Sequence, residues 1–455
     1  MKNLTFLLGI SLSIVASSVL NASAINLDQA LEILETNNLE IKAAEYEFQS
    51  AQAKSEQVSG SNWGSLDLIL NAANSDDAGN VFGFKLTSRQ ATFGDFGFSE
   101  FNPALPADQL LATKPEDLNH PGSTNFFQTK LEYTLPIYTG GMISGYSDIS
   151  QSMEKMKRLE KDQTINTKIY EIRKAFYDMA LLEEAMDQLQ AIDDNIAKLE
   201  ETTKFMIEEG YAKHIDLLEV QAKRSNVQRN INEMQVNEKL LYQYLSFLLN
   251  QKVDEIITPE GSVDVPQITT EDVIARNIDI KRAETGLHIR TKMVDVSQAD
   301  YLPMIGLKAN VQSSAINLDE YDMVDNGSYM AGVQLKWNLF NGGADSSKVQ
   351  EAKVNELQTR TQLELAKKGI ALQVQKINTE ISSLDFKIES LTKELELSNE
   401  IYKNYEARYN EQLASMNDLV IKQSQQIEKV LALLEVQNQR NERIFALEKL
   451  ANGAK

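Results

Sequence analysis

Ile137-Tyr138-Thr139-Gly140-Gly141 returns 202 positions later as Leu339-Phe340-Asn341-Gly342-Gly343. Seventy-five residues beyond each second glycine stands an acidic-apolar triplet, Asp216-Leu217-Leu218 in one half and Asp418-Leu419-Val420 in the other. The stretch between the two marks has therefore kept one length. A loop tolerates insertions, because closure entropy grows slowly with length. A rigid rod whose two ends must both meet something does not.

A second mark precedes the first. Asn38-Leu39-Glu40-Ile41-Lys42 is matched by Asn277-Ile278-Asp279-Ile280-Lys281 at an offset of 239, and Leu66, Leu68 and Leu70 then fall on Ile305, Leu307 and Ala309. The change of offset means that the first half carries 37 extra residues, all between about 73 and 126. The chain reads as two internal repeats, 25–255 and 256–455. Each holds a helix, two strands, a long helix and a return helix, and the first has the long loop 73–126.

The helices follow from periodicity and from where proline is missing. No proline lies in 137–258 or 304–455, which permits uninterrupted helices. Ile370, Val374, Ile377, Ile381, Leu384, Ile388, Leu391, Leu395, Ser398, Tyr402, Tyr405 and Tyr409 alternate spacings of four and three, a heptad stripe of the coiled-coil kind. A looser stripe runs from Ile165 through Phe176, Met179 and Leu189 to Leu199. Helices are expected over about 144–209 and 344–410, each roughly 100 Å long at about 1.5 Å per residue. Shorter ones are expected over 27–60, 213–250, 269–300 and 414–451. Two short helices end to end would match one long one, with the irregular stretch 251–268 at their junction.

Between the helices the period changes to two. Leu131, Tyr133, Leu135 and Ile137 alternate with Lys130, Glu132, Thr134 and Pro136. The same alternation runs through 305–312 and 331–339, and more weakly through 66–72, where Ile69 interrupts it. These are four strands with one apolar and one polar face, about ten residues long, which suits a tilted membrane strand. A soluble protein would hide the apolar face under helices. Here the helices carry their own seams, so lipid is the natural partner of that face. Four strands cannot close a barrel and open edges are not tolerated in lipid. Three chains pooling strands would supply about 12. The fold class is thus mainly α with a small β part.

Composition bounds the rest. Lys2, the apolar run from Leu4 to Leu20 and Ala22-Ser23-Ala24 read as a signal peptide over 1–24. The chain has no cysteine, so stability comes from packing and assembly instead of disulfides. A formal charge of −21 argues against nucleic acid as a partner, since phosphates would be repelled. The three histidines, His120, His214 and His288, are not paired at ligand spacing, and no metal or cofactor is expected. Gly140-Gly141 with Gly145 is no phosphate loop, because no Lys-Ser/Thr follows. No nucleophile–base set stands out, so an enzyme is not expected.

With these marks in order, the whole mature chain resembles the outer membrane channel-tunnel proteins, the TolC-like outer membrane factors. The resemblance rests on the paired strand-to-helix turns, Gly140-Gly141 and Gly342-Gly343, and on the two helix-turn-helix marks ending at Asp216-Leu217-Leu218 and Asp418-Leu419-Val420. It implies a homotrimer with a 12-stranded β-barrel in the outer membrane of a Gram-negative bacterium and a periplasmic α-helical tunnel holding most of the mass. The implied role is the passive exit duct of a tripartite efflux pump or type I secretion system, joined through a periplasmic adaptor to an inner membrane transporter. The rival is a soluble periplasmic coiled-coil scaffold or adaptor with a small buried sheet.

The resemblance also assigns residues. Gly210, Tyr211 and Ala212 form one helical tip and Leu413, Ala414 and Ser415 the other, both expected to contact the adaptor. Asp418 matches a position that directs acids into the tunnel entrance, and Asp216 and Tyr409 match positions that tie neighbouring tip helices when the channel is closed. The chain departs from that pattern at Gln412, Ala414 and Ile421, where the family's best-studied members carry glycine, arginine and a second acid. The loop 73–126, with Phe82, Phe84, Phe93 and Phe96, is expected to be extracellular, either folded over the barrel mouth through its aromatics or disordered.

Overall fold

The computed structural model describes residues 24–452 except 318, 320, 321 and 323. Apart from Ala24, the segment expected to be a signal peptide, 1–24, lies outside the described residues. In chain order the elements are α1 (Leu27–Asn37), α2 (Leu39–Gly60), β1 (Ser65–Ser75), α3 (Ala78–Thr87), α4 (Ala107–Ala112), α5 (Glu116–Asn119), β2 (Thr124–Tyr138), α6 (Met142–Glu208), α7 (His214–Leu249), α8 (Thr270–Arg276), α9 (Ile278–Gln298), β3 (Met304–Ala315), β4 (Gly327–Lys336), α10 (Ala344–Asn410) and α11 (Met416–Leu450). Both long helices contain 67 residues. Among the described residues, no helix is long and apolar enough to cross a membrane.

The chain forms two compact units, and neither coincides with a sequence half. Among the described residues, a helical unit takes 24–45, 160–280 and 366–452, and a sheet unit takes 46–159 and 281–365.

In the helical unit the heptad stripes are the core. Ile172, Phe176, Met179, Leu189 and Ile196 of α6 are buried with Val220, Val227, Leu245 and Leu248 of α7 and with Leu419, Ile427 and Val430 of α11. A second cluster joins Val374, Ile377 and Ile381 of α10 to Ile444, Phe445 and Leu447 of α11. Each such side chain contributes about 1.5–3 kcal/mol by leaving water. The irregular stretch 251–268 is pinned to this core: Val263 packs into the second cluster, its carbonyl accepts from Arg440 Nη1 at 2.7 Å, and Thr258 donates to Glu183 at 2.9 Å.

The two repeated asparagines break the helices that the sequence predicts as continuous over 27–60 and 269–300. Asn38 Oδ1 accepts from the Ile41 N–H at 3.0 Å and so caps α2, while its Nδ2 donates at 2.7 Å to the carbonyl of Leu248 near the end of α7. Asn277 does the same for α9, at 3.1 Å to the Ile280 N–H and 2.9 Å to the carbonyl of Leu450. One amide thus starts one helix and satisfies the end of another, whose last carbonyls have no partner within their own helix.

In the sheet unit the four strands pair antiparallel in the order β1-β2-β3-β4. Register aligns Leu68, Leu131, Val311 and Tyr329 across the sheet, and Leu66, Tyr133, Ala309 and Ala331 beside them. The apolar residues therefore share one face. They are open: Leu68 is 65%, Val311 58%, Tyr329 85% and Val333 65% exposed. The other face is polar and knitted together. Glu132 pairs with Lys130 and with Lys308 at 2.9 Å, and Gln128 bonds to Asn71 at 2.9 Å and to Gln312 at 3.3 Å. Below the strands, Lys157 pairs with Glu47 and Lys292 with Asp148, each at 2.9 Å. The insert between β1 and β2 is folded, with α3, α4 and α5 inside it.

Candidate functional site

Three features could carry a channel function: the two helix-turn-helix tips, the glycine turns that leave the sheet, and the two-faced sheet. At the first tip, Gly210 has φ +82°, its N–H donates to the carbonyl of Ile207, and the Tyr211 N–H donates to that of Met206 at 2.7 Å. This left-handed cap absorbs carbonyls that the helix end leaves free. The second tip makes the same bonds, Gln412 N–H to Tyr409 and Leu413 N–H to Arg408 at 2.7 Å, but with glutamine at φ +63°. A side chain in that region costs about 1–2 kcal/mol relative to glycine. The departure at Gln412 is therefore a strained cap on an unchanged turn.

The return helices start on their acids. Asp216 accepts from the Lys213 N–H at 2.8 Å. Ser415 and Asp418 form a reciprocal capping box: Ser415 Oγ donates to Asp418 at 2.7 Å and accepts from the Asp418 N–H at 3.1 Å. The Ser415 hydroxyl and N–H, with Lys422 and Arg408 further off, hold the Asp418 carboxyl below the usual range. Asp418 is exposed, Asp216 half-buried and Tyr409 only 5% exposed. Tyr409 lies in one buried cluster with Met206, Met416 and Leu419, a cluster that draws on both tips. Its hydroxyl has no hydrogen bond of full geometry, and burial followed by the nearby negative charge of Asp216 pushes the phenol up. The charge of Asp216 thus reaches Tyr409, whereas Asp418 is bonded within its own capping box. Tyr211 and Leu413 project from the tips, each 64% exposed.

A cluster absent from the sequence-predicted set ties the first hairpin. Arg224 of α7 donates to Glu200 of α6 at 3.2 Å and lies 3.4 Å from Asp193, while Lys204 pairs with Glu200 at 2.9 Å. Lys204, then Gln221 and Arg224, hold the Glu200 carboxyl down to about 2. The second hairpin lacks this set. At the offset of 202, Glu200 becomes Tyr402 and Arg224 becomes Gln426. The Tyr402 hydroxyl is buried without a partner, and Gln426 bonds to Asn399 at 2.7 Å instead. Lys223 joins α7 to α11 through Ser424 at 2.8 Å. The spacing of charges one hairpin apart was the only signal in the sequence that could have found this cluster.

Both glycine pairs take left-handed torsions: φ is +64° and +88° at Gly140 and Gly141, and +57° and +84° at Gly342 and Gly343. At Gly140 space also forbids a side chain, since a Cβ would stand 2.9 Å from the Ala299 carbonyl oxygen and from Leu302 Cβ. Gly342 has open space around it, so torsion alone selects glycine there. Among the described residues no group of three or more His, Asp or Glu is placed to hold a metal.

Residues 269–453 match the family model described as outer membrane efflux protein. This segment is similar to the outer membrane efflux proteins. The chain carrying it also shares its whole fold with solved channels. CusC, whose structures are described in terms of transmembrane channel formation, aligns over 93% of this chain and 91% of its own with a TM-score of 0.79 at 13% identity. The outer membrane protein VceC from Vibrio cholerae aligns over 94% and 96% with a TM-score of 0.75 at 17% identity. The open MtrE outer membrane channel of Neisseria gonorrhoeae aligns over 94% and 89% with a TM-score of 0.75 at 15% identity. No curated protein matches the chain in sequence. The efflux protein family is one of export ducts, not of enzymes.

Proposed function

We propose that this chain is an outer membrane channel of an efflux pump or type I secretion system. The observation that carries this reading is the apolar sheet face. It is continuous across four strands and uncovered by the chain's own helices. A soluble scaffold would leave that face in water, so the scaffold reading is not favoured. Both outer edges, β1 and β4, are unpaired in one chain. Pairing β4 of one copy with β1 of the next closes a ring, and three copies give about 12 strands. The apolar face then meets acyl chains, and the Lys130–Glu132–Lys308 face lines water.

In this arrangement the chain sits in the outer membrane with most of its mass in the periplasm, and the two sequence repeats, 25–255 and 256–455, each supply one helical hairpin to a tunnel. The tips, Gly210 to Ala212 and Leu413 to Ser415, face a periplasmic adaptor, which links the duct to an inner membrane transporter. Gating is a change in how the tips pack. Tyr409 and Asp216 hold the two tips together, and the exposed Asp418, three times around an axis, forms an acidic ring that retains cations. Adaptor docking would compete with the Tyr409 contacts and free the tips.

Extraction tests the reading. The mature protein should require detergent, run as a heat-sensitive trimer on gels and give discrete conductance steps in planar bilayers. A monomer soluble without detergent would rule it out.

A further inference from the structure

The insert 76–123 lies on a particular face of the sheet. Phe84 of α3 stacks on Phe126 of β2, with ring centroids 4.4 Å apart and planes 11° from parallel. Phe126 is only 8% exposed. Its register partner is Ala73, and the β1–β2 ladder is unbroken from Ser65↔Thr134 to Ser75↔Thr124. Side chains alternate along a strand, so Phe126 shares a face with Gln128, Lys130 and Glu132. That is the polar face, the one that lines water in the barrel. Just past α3 the insert is tied to the β3–β4 connection: the Ile316 N–H donates to Gln90 Oε1, and Arg89 Nη1 donates to the Asp325 carbonyl, both at 2.9 Å.

The insert is also tied to itself. Lys85 pairs with Asp95 at 2.5 Å, and Glu100 accepts the N–H groups of Glu116 and Asp117 at 3.0 Å each. Yet it leaves aromatics in the open. Phe93 is 80%, Phe98 60% and Phe101 54% exposed, in a chain of rings with centroids 5.7 and 6.2 Å apart. An ordered segment that presents a contiguous apolar cluster marks a contact surface.

Barrel dimensions say what it meets. Twelve strands about 4.8 Å apart and tilted about 40° close a ring of radius about 12 Å. Three helices about 10 Å thick, one from each chain, fill a circle of radius about 11 Å. We propose that the insert is a plug: three copies converge inside the outer mouth of the barrel and close it with the Phe93, Phe98 and Phe101 clusters packed against one another. The partner of this apolar surface is the same surface on two other copies of this chain. The proposal rests on the trimeric-barrel reading. It places a second constriction at the sheet end of the duct, apart from the helical tips, where rings on an axis exclude water and ions.

The cysteine-free chain makes a direct test possible. Ser75 and Thr124 are register partners, so a four-residue Gly-Ser turn can replace 76–123 and still join the strands. Gln334→Cys places a thiol on the polar face, and the neighbouring Val333→Cys places one on the apolar face. A membrane-impermeant maleimide is added to intact cells. Gln334→Cys should label at least tenfold faster when the insert is replaced, with Val333→Cys unlabelled in both backgrounds. Equal labelling of Gln334→Cys with and without the insert overturns the plug. Labelling of Val333→Cys instead of Gln334→Cys overturns the barrel reading, a distinguishable failure. If the shortened chain does not assemble, Phe98→Cys in the full chain decides. Mild oxidation should yield disulfide-linked dimers within trimers, and their absence from assembled trimers overturns convergence at the axis.

Discussion

Replacing Asn38 by alanine removes two bonds at one stroke. The cap on the Ile41 N–H is worth about 1 kcal/mol. The Leu248 carbonyl, in a residue 0% exposed, loses the amide that donates to it at 2.7 Å, and an unpaired buried acceptor costs about 1–3 kcal/mol. Together these predict a loss of about 2–4 kcal/mol, and Asn277→Ala should lose less, because the Leu450 carbonyl that it serves belongs to a residue only partly buried. Aspartate separates the two contributions. Asn38→Asp keeps the capping oxygen, which the helix dipole favours, but loses the amide and sets a carboxylate against a carbonyl. If capping alone matters, it is nearly neutral. If the joint to α7 matters, it is at least as damaging as alanine. Guanidinium unfolding of the detergent-solubilised protein, followed by helical ellipticity, measures all three. Alanine variants within about 0.5 kcal/mol of the parent, the range of ordinary surface changes, would refute the joint.

Further outcomes are expected at the tips. Gln412→Gly relieves the residue at φ +63° and, after glycine's entropy is counted, should stabilise the helical unit by about 0.5–1 kcal/mol in the same assay; Gly210→Ala, at φ +82°, should do the opposite. The Glu200 carboxyl, held at about 2 against an ordinary 4.5, adds stability that is complete above pH 4.5 and is lost as the pH falls toward 2. The drop corresponds to at most about 3 kcal/mol, and solvent screening reduces it to about 1–2 kcal/mol, so Glu200→Gln should flatten the stability profile between those pH values. Asp418→Asn should weaken block of single-channel current by multivalent cations several-fold, and unchanged block would remove Asp418 from the constriction. Three residues inserted near position 180 should shift the Ile172–Phe176–Met179 stripe away from α7 and abolish trimer assembly, read on unboiled gels.

The sequence by itself determined the long elements and their sense. Heptad stripes without proline gave α10 its full extent and α6 to within two residues, because a periodic apolar face over many turns has one way to be buried. The period-two segments gave four strands and the face that most side chains take, but not the bulge between Pro136 and Tyr138, which sets Tyr138 instead of Ile137 opposite Ile305. The turns were legible in Gly140-Gly141 and Gly342-Gly343, where torsion demands glycine. Only the tertiary structure decided the rest. Asn38 and Asn277 read as helix interior, and their breaks arise from carbonyls 210 and 173 positions away in sequence. The Arg224–Glu200 cluster exists because a hairpin folds α7 back on α6. The insert carries no period at all, so its place on the polar face depends on one ring stacking on another. Local pattern fixes what repeats along the chain; a contact between distant segments has no period to announce it.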